Sequence, residues 1–182
     1  HPQYDKEWRG VLSEWKEKGY PTKEYETLPA RELWDKISEM AHHNGEPGVV
    51  FLDRYNKLST TNEYDRIICT NPCGEQGLGA FEACNLGAIN LVEHLDSEGN
   101  INWTKLKLTV HKAVRFMDNI IDTNKYRYPE VKKKQKDLRR VGIGVMGYAD
   151  MLVYLGLKYA SDASIELTDE LMNFIKNEAY RA

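Results

Sequence analysis

The chain has 182 residues, of which 41% are hydrophobic and 29% are charged, a composition that supports a globular core and excludes a disordered or collagen-like chain. The negative mean hydropathy and the lack of any run of about 18 apolar residues exclude a membrane-spanning helix. Because 25 basic residues are balanced by 28 acidic ones, bulk binding to nucleic acid has no support. The N-terminus lacks a signal-peptide or transit-peptide pattern, so we expect a soluble cytoplasmic protein.

The three cysteines, Cys69, Cys73 and Cys84, all fall within one short window. A secreted disulfide scaffold would carry more cysteines and spread them out. A zinc site would need a CxxC pair or a nearby histidine, and neither is present, so we expect no metal site. Two interpretations remain open: buried structural thiols, or a redox or nucleophilic cysteine site.

The first half of the chain is predicted to be a polar lead-in over residues 1–28, with one short helix and a loop, followed by a helix that begins near Pro29. The helix is indicated by apolar residues that recur every three or four positions. Short apolar and β-branched runs then predict a buried strand at 49–52, a short strand at 67–69 and a buried strand region at 81–91.

The second half is predicted to be mostly helical. Apolar spacing from Val110 to Ile121 indicates a long amphipathic helix. A basic, solvated connector is expected over 125–140, then a helix over about 146–155. The last helix is predicted to open at Thr168, where acidic residues follow a capping residue.

The most informative segment is Thr-Asn-Pro-Cys-Gly-Glu-Gln at 70–76. Pro72 pushes the residue before it toward extended geometry. In an extended loop, residues two apart share a face, so Asn71, Cys73 and Glu75 would present an amide, a thiol and a carboxylate together. The glycine after the cysteine leaves room for a substrate to approach, and we expect the thiol to project into an enclosed pocket.

The same three groups define the chemistry that this segment could perform. A carboxylate can act as a base and an amide can orient a hydroxyl. A carboxylate beside a thiol disfavours the thiolate, which favours chemistry by the neutral thiol, meaning hydrogen-atom transfer. The alternative is a tight turn in which Asn71 and Glu75 bond the local backbone and Cys73 fills a gap in the core. Cys84, taken alone, is more typical of a core thiol than of a redox partner.

The segment at 70–76, together with Ala-Cys-Asn-Leu-Gly-Ala-Ile-Asn-Leu at 83–91, closely resembles the catalytic core of ribonucleotide reductase large subunits. Its Asn-Pro-Cys-Gly-Glu-Gln form is most similar to the adenosylcobalamin-dependent, class II enzymes. Supporting matches follow in family order at 30–34, 45–53, 116–122 and 140–150.

The resemblance implies a ten-stranded α/β barrel with the active cysteine on a central loop, and reduction of ribonucleotides to 2′-deoxyribonucleotides by thiyl-radical chemistry. Cys73 would carry the radical that takes the 3′ hydrogen. Glu75 would accept the proton of the 3′ hydroxyl, and Asn71 would hydrogen-bond the ribose hydroxyls. Cys84 would be one of two cysteines that donate the reducing electrons and end as a disulfide.

The resemblance also implies adenosylcobalamin as cofactor, thioredoxin or glutaredoxin as reductant, and a possible homodimer of the full enzyme. Residues 29–182 would be the central part of the catalytic barrel. No cysteine precedes Cys69 to pair with Cys84, and the effector, phosphate-binding and C-terminal redox regions of the family are not found. We therefore expect a fragment that is inactive alone. The substrate of the full enzyme is expected to be a ribonucleoside diphosphate or triphosphate, and Cys69 is expected to have a structural role.

Two other functions stay open from the sequence. The chain could be an inactive remnant or an assembly subunit that only docks to a partner. Gly142–Gly147 also matches the GxGxxG pattern of dinucleotide-binding dehydrogenases, although the residues before it do not form a buried-strand pattern.

Overall fold

The computed structural model of the chain describes Gln3, Glu7, Trp8 and residues 12–182. The chain divides into two compact units, with the boundary between Ala80 and Phe81. Most of the lead-in predicted before residue 12 lies outside the described residues. None of the described helices has both the length and the apolar content that crossing a bilayer requires.

The first unit combines short helices with one small antiparallel hairpin. Its described elements are α1 (Leu12–Glu17), α2 (Ala30–Asn44), α3 (Leu52–Leu58), β1 (Cys69–Thr70) and β2 (Gly77–Leu78). The helix predicted after Pro29 is confirmed: α2 ends at Gly45, whose φ of 81° places it in the left-handed region that closes a helix, and whose N–H bonds the Ala41 carbonyl.

The predicted strand at 49–52 is wrong, because Val49–Phe51 is irregular and exposed and α3 begins at Leu52. A four-residue apolar run is equally compatible with a strand and with the entry to a helix. No described strand pairs with it, and an unpaired strand has no ladder to stabilise it. The strand predicted at 67–69 forms two residues later, as β1.

The second unit is a parallel pair of strands with helices packed on one side. Its elements are β3 (Asn85–Asn90), a 3-10 turn (Val92–His94), α4 (Trp103–Thr123), α5 (Pro129–Leu138), β4 (Val141–Met146), α6 (Tyr148–Tyr154) and α7 (Asp162–Arg181). The strands pair in register from Asn85↔Val141 to Asn90↔Met146. Parallel neighbours need a long crossover connection, and α4 and α5 supply it.

The core of the second unit lies between the sheet and the helices α4, α6 and α7. It is built from the buried side chains Ile89, Leu91, Leu106, Val110, Met151, Leu171 and Ile175. The opposite face of the sheet is exposed, including Leu86 and Ala88 of β3 and Gly144 and Met146 of β4. The region predicted as a buried strand at 81–91 is therefore a strand only over 85–90, with one buried and one exposed face.

This arrangement confirms the α/β class in its coarser form. Helix and strand alternate around a parallel pair, as the sequence predicted, and the long helix and the helix near 146–155 are confirmed as α4 and α6. The described strands do not close into a barrel.

The basic connector predicted over 125–140 is wrong, because residues 129–138 form α5. Pro129 occupies the first turn, where its missing N–H costs nothing. Val131 and Gln135 lie four apart on the less exposed side, whereas most of the lysines point to solvent. The lysine-rich composition concealed a short amphipathic pattern.

The last helix begins seven residues earlier than predicted. Ser161 caps α7, and its side-chain oxygen accepts a hydrogen bond from the Ser164 N–H. Thr168 lies inside the helix, where its hydroxyl donates to the Ser164 carbonyl at 2.7 Å. Both residues are favourable caps, and the sequence-based choice of the second one was wrong.

Arg139 joins the end of α5 to α4. It has a left-handed φ of 50°, and its guanidinium donates to Asp118 at 2.7 Å and to Asp122 at 2.9 Å. The hydrogen bond from Arg139 holds the pKa of each carboxyl below its usual value. Both carboxylates are partly exposed, so the pairs are screened by solvent.

Arg139→Gln is expected to lower the urea midpoint of unfolding at pH 7, and to lower it by less at pH 3. The pKa values of Asp118 and Asp122 are lower in the folded chain than in the unfolded one. Their contribution to stability is therefore present above about pH 4 and is lost as pH falls through the lowered values. Urea titrations of both proteins at pH 3 and pH 7 measure this, and an equal difference at the two pH values would contradict it.

Candidate functional site

The segment at 70–76 forms the closed end of the β1–β2 hairpin. Its strands pair Cys69↔Leu78 and Thr70↔Gly77, and the Asn71 N–H extends the ladder by donating to the Gln76 carbonyl at 3.2 Å. Within the loop, the Gly74 N–H donates to the Asn71 carbonyl at 3.0 Å, which closes a β-turn. Pro at the second turn position and Gly at the fourth are the favoured residues for such a turn.

The side chain of Asn71 holds the other half of the loop. Its Oδ1 accepts a hydrogen bond from the Gln76 N–H at 3.0 Å. This bond uses the carbonyl side of the amide, and an amide group also carries two N–H donors on its nitrogen. Asn71 can therefore fix the loop and still donate hydrogen bonds to a ligand.

The base of the hairpin is anchored by a buried asparagine on α3. Asn56 donates from Nδ2 to the Ile67 carbonyl at 2.8 Å and accepts from the Ile67 N–H at 2.9 Å. Gly77 packs against Ile67 and Tyr55, and a Cβ there would lie 2.8 Å from the Tyr55 ring. These contacts fix the hairpin from one side, and no local sequence pattern indicated this role for Asn56.

The extended loop predicted for 71–75 is wrong, and the turn that was the alternative is observed. Cys73 and Glu75 are both exposed, so the thiol neither projects into an enclosed pocket nor fills a gap in the core. A Cβ added to Gly74 would meet no atom within 4 Å. The thiol and the carboxylate are thus open to an approaching ligand, while the backbone that carries them is held by hydrogen bonds.

Cys69 lies at the start of the same hairpin, and its thiol contacts the Leu78 carbonyl at 3.6 Å. Cys69 is exposed, and the contact joins two residues that already pair in the β1–β2 ladder. The structural role expected for Cys69 stays a prediction.

Cys84 belongs to the second unit, immediately before β3. The residue is half-buried, and its Sγ lies 3.5 Å from the Asn85 carbonyl. It lines a cavity of about 220 Å³ between the start of β3 and the helices α4 and α5. The Asn85 side chain spans to α4, where Nδ2 donates to the Met117 carbonyl at 3.3 Å. Cys84 is therefore next to open space, unlike a fully packed core thiol.

The glycines of the GxGxxG pattern do not form a loop between a strand and a helix. Gly142 and Gly144 lie within β4, paired with Leu86 and Ala88, and Gly147 caps α6 with a φ of 71°. A dinucleotide fingerprint needs its glycine turn after the strand, next to the helix N-terminus. Gly142 and Gly144 instead belong to the strand itself, and Gly142 lies beside Cys84. Among the described residues, no group of three or more His, Cys, Asp or Glu could hold a metal ion.

Residues 2–182 match the family model of the ribonucleotide reductase barrel domain, so the chain belongs to this family. The chain is 41% identical over 155 residues, 85% of its length, to a vitamin B12-dependent ribonucleoside-diphosphate reductase of Thermoplasma acidophilum, of which it covers 20%. It is 42% identical over the same share of its length to a reductase of that name from Mycobacterium tuberculosis, of which it covers 22%.

A third relative is the ribonucleoside-diphosphate reductase subunit alpha of Chlamydia muridarum, 34% identical over the whole chain and covered to 18%. The family predicted from the motifs is thereby confirmed. The chain spans about a fifth of the length of these relatives.

Asn71→Ala is expected to loosen the loop, because the Gln76 N–H loses its side-chain acceptor. Hydrogen exchange at the Gln76 amide should accelerate about fivefold, as expected for the loss of one hydrogen bond of about 1 kcal/mol. Asn71→Asp keeps an oxygen in the same position, so it serves as the matched control and should leave this amide protected. Equal exchange rates in the two variants would show that the side-chain bond does not hold the loop.

Proposed function

We propose that the chain is the central catalytic segment of a ribonucleotide reductase that converts ribonucleoside diphosphates to 2′-deoxyribonucleoside diphosphates. The observation that carries the proposal is the hairpin loop of a reductase-family barrel domain on which Asn71, Cys73 and Glu75 lie within five residues. The relatives named above as diphosphate reductases support the choice of substrate.

Cys73 is proposed to act as a thiyl radical that removes the hydrogen atom from C3′ of the ribose. The S–H bond then forms as the C3′–H bond breaks, and the unpaired electron passes to C3′. Hydrogen-atom transfer needs direct contact between sulfur and the reacting carbon. The exposed thiol and the open space next to Gly74 support such contact.

Glu75 is proposed to accept the proton of the 3′ hydroxyl, while the Asn71 amide nitrogen donates to the ribose hydroxyls. Loss of that proton makes the carbon radical a better electron donor, which helps the 2′ hydroxyl to leave as water. Asn71 is suited to this role because its Oδ1 is engaged with the Gln76 N–H. That bond fixes the amide orientation and does not use the N–H donors of its nitrogen.

Cys84 is proposed to be one of two cysteines that supply the two reducing electrons. The two thiols give up two protons and two electrons and form a disulfide: one proton leaves with the 2′ hydroxyl as water, the other forms the new C2′–H bond, and Cys73 returns its hydrogen to C3′. The net reaction is ribonucleotide plus two thiols giving deoxyribonucleotide, water and one disulfide. The half-buried position of Cys84 beside a cavity supports a thiol that another group can reach.

The remaining expectations belong to the same proposal. Adenosylcobalamin, which the names of two relatives suggest, would supply the initial radical. The open surface around Cys73 is compatible with a bulky coenzyme, and we assign its binding to no residue of this chain. Thioredoxin or glutaredoxin would reduce the disulfide, further segments would complete a ten-stranded barrel that can dimerise, and the enzyme would work in the cytoplasm.

Cys73→Ser should abolish turnover in the reductase that contains this segment, because a serine O–H bond is too strong to supply the radical. Deoxynucleotide formation from a ribonucleoside diphosphate, with adenosylcobalamin and a dithiol present, measures it. Cys69→Ser is the matched control: it lies in the same hairpin, keeps a donor for the Leu78 carbonyl, and should retain activity. Retained turnover in the Cys73 variant would refute the proposal.

Glu75→Gln is expected to lower kcat by about 10²- to 10⁴-fold, the usual contribution of a general base, with little change in KM. Asn71→Asp should raise KM, because it preserves the bond to the Gln76 N–H but replaces the donor with a carboxylate. Steady-state kinetics of both variants separate the two roles. An unchanged kcat for Glu75→Gln would exclude it as the base.

A further inference from the structure

The helix α3 contacts the hairpin that carries Cys73 at the open end of both strands. Tyr55 and Asn56, which are neighbours on this helix, each contact one strand. Asn56 binds the backbone of Ile67, which leads into β1. The Tyr55 ring packs against Gly77 at the start of β2, where an added Cβ would lie 2.8 Å from the ring. The hairpin is therefore attached to α3 at two points, both away from its loop.

The Asn56 amide binds Ile67 as a neighbouring strand would. In an antiparallel ladder, two residues that form a hydrogen-bonded pair exchange both backbone bonds. Asn56 reproduces this exchange with one side chain, because Nδ2 donates to the Ile67 carbonyl at 2.8 Å and Oδ1 accepts from the Ile67 N–H at 2.9 Å. Nδ2 also donates to the Leu52 carbonyl of α3 at 2.8 Å, which fixes the amide on its own helix. Asn56 and Ile67 are both buried, where unpaired backbone groups are costly.

Other contacts determine the internal shape of the hairpin. The β1–β2 ladder joins its strands, and the bond from the Gln76 N–H to Asn71 closes its loop. Asp65 lies against Gly79, which brings the two arms of the hairpin together below the strands. These contacts join parts of the hairpin segment to one another, whereas the two residues of α3 join it to a separate helix. The hairpin can therefore keep its shape and still change its tilt on α3.

A small tilt at α3 becomes a larger displacement at the loop. Asn71 lies four positions after Ile67, so at about 3.3 Å per extended residue the loop begins about 13 Å from the attachment. A tilt of about 5° over that length moves the loop by about 1 Å. A displacement of this size can slow an enzymatic step by about 100-fold. Hydrogen-atom transfer is sensitive in this way, because it needs direct contact between sulfur and carbon.

We infer that Asn56 is a positioning residue for the thiol of Cys73, with Tyr55 as the second point of attachment on α3. The inference rests on the proposed function for its catalytic meaning, since it takes the Cys73 sulfur as the atom that reacts with substrate. Its geometric part is independent of turnover. Loss of the Asn56 amide widens the range of positions that Cys73 adopts relative to α3, and the loop itself stays closed.

The geometric part is tested with two nitroxide labels in the complete 182-residue chain. One label is attached to Cys73 and the other to Asp53→Cys, at an exposed position of α3, and the other two cysteines are changed to serine. Asn56→Ala should broaden the distribution of label–label distances measured by electron paramagnetic resonance. Hydrogen exchange at the Gln76 amide should keep its wild-type rate, which distinguishes a tilted hairpin from an opened loop.

Asn44→Ala is the matched control. It removes the same kind of side chain from the same compact unit, at the end of α2, where Asn44 Oδ1 accepts a hydrogen bond from the Glu46 N–H at 3.0 Å. This variant should leave the distance distribution unchanged. Tyr55→Leu, which loses the ring that contacts Gly77, should broaden the distribution and keeps the test available if Asn56→Ala fails to fold.

The catalytic part is tested with unlabelled protein, in the reductase that contains this segment and with its cysteines unchanged. Asn56→Ala should lower kcat by about 10- to 100-fold. KM should change much less, because the loop still carries its binding groups while the distance from sulfur to carbon varies. Asn44→Ala should keep the wild-type kcat.

A broader distribution and a lower kcat in Asn56→Ala and Tyr55→Leu, with wild-type values in Asn44→Ala, support the inference. An unchanged distribution in the two α3 variants would overturn it, as would equal broadening in Asn44→Ala or a wild-type kcat despite a broader distribution. Faster exchange at Gln76 in Asn56→Ala would assign the effect to an opened loop and also overturn it. A failure of the proposed function would appear separately, as retained turnover in Cys73→Ser.

Discussion

The parallel ladder between β3 and β4 is the constraint on which the second unit depends. Parallel strands cannot be joined by a tight turn, so the chain must run through α4 and α5 before it returns as β4. The crossover packs its helices on one face of the sheet and leaves the other face uncovered. The same register aligns Cys84 with Arg140, one position before the first pair, so the ladder also determines which side chains can reach the segment around the cysteine.

The hairpin in the first unit combines a fixed backbone with exposed reactive groups. Asn56 fixes the base of the hairpin through the Ile67 backbone, and Asn71 fixes its tip through the Gln76 N–H. Cys73 and Glu75, between them, have their side chains in solvent. Binding and catalytic residues of proteins often lie on loops held by a rigid support, because the support fixes the position of the side chains and the loop keeps them accessible.

The sequence predicted the long elements and the family, and it failed where short local patterns were ambiguous. The helices α2 and α4 were predictable because their apolar stripes run over several turns. The predictions for residues 49–52 and 125–140 were wrong. Four apolar residues are too few to define a helix or strand periodicity, and a lysine-rich segment can still have one buried face. At 70–76 the motif predicted which residues carry the chemistry, and that assignment stays a prediction, but a proline and a glycine two residues apart are compatible with both an extended loop and a turn. Contacts such as Glu82–Arg140 join residues far apart in the chain, which no local pattern encodes.

The exposed face of the β3–β4 sheet has a consequence for anything that lies on it. The Leu86 side chain lies over Gly142, where an added Cβ would be 2.5 Å from the leucine methyl. The next pair on this face, Ala88 and Gly144, carries a single methyl group as its whole side-chain content. A molecule that packs on this exposed face can come within van der Waals distance of the main chain. This part of the sheet presents peptide groups and little side-chain bulk to solvent. The segments at the edges of the sheet would therefore determine which molecular shapes fit on this face.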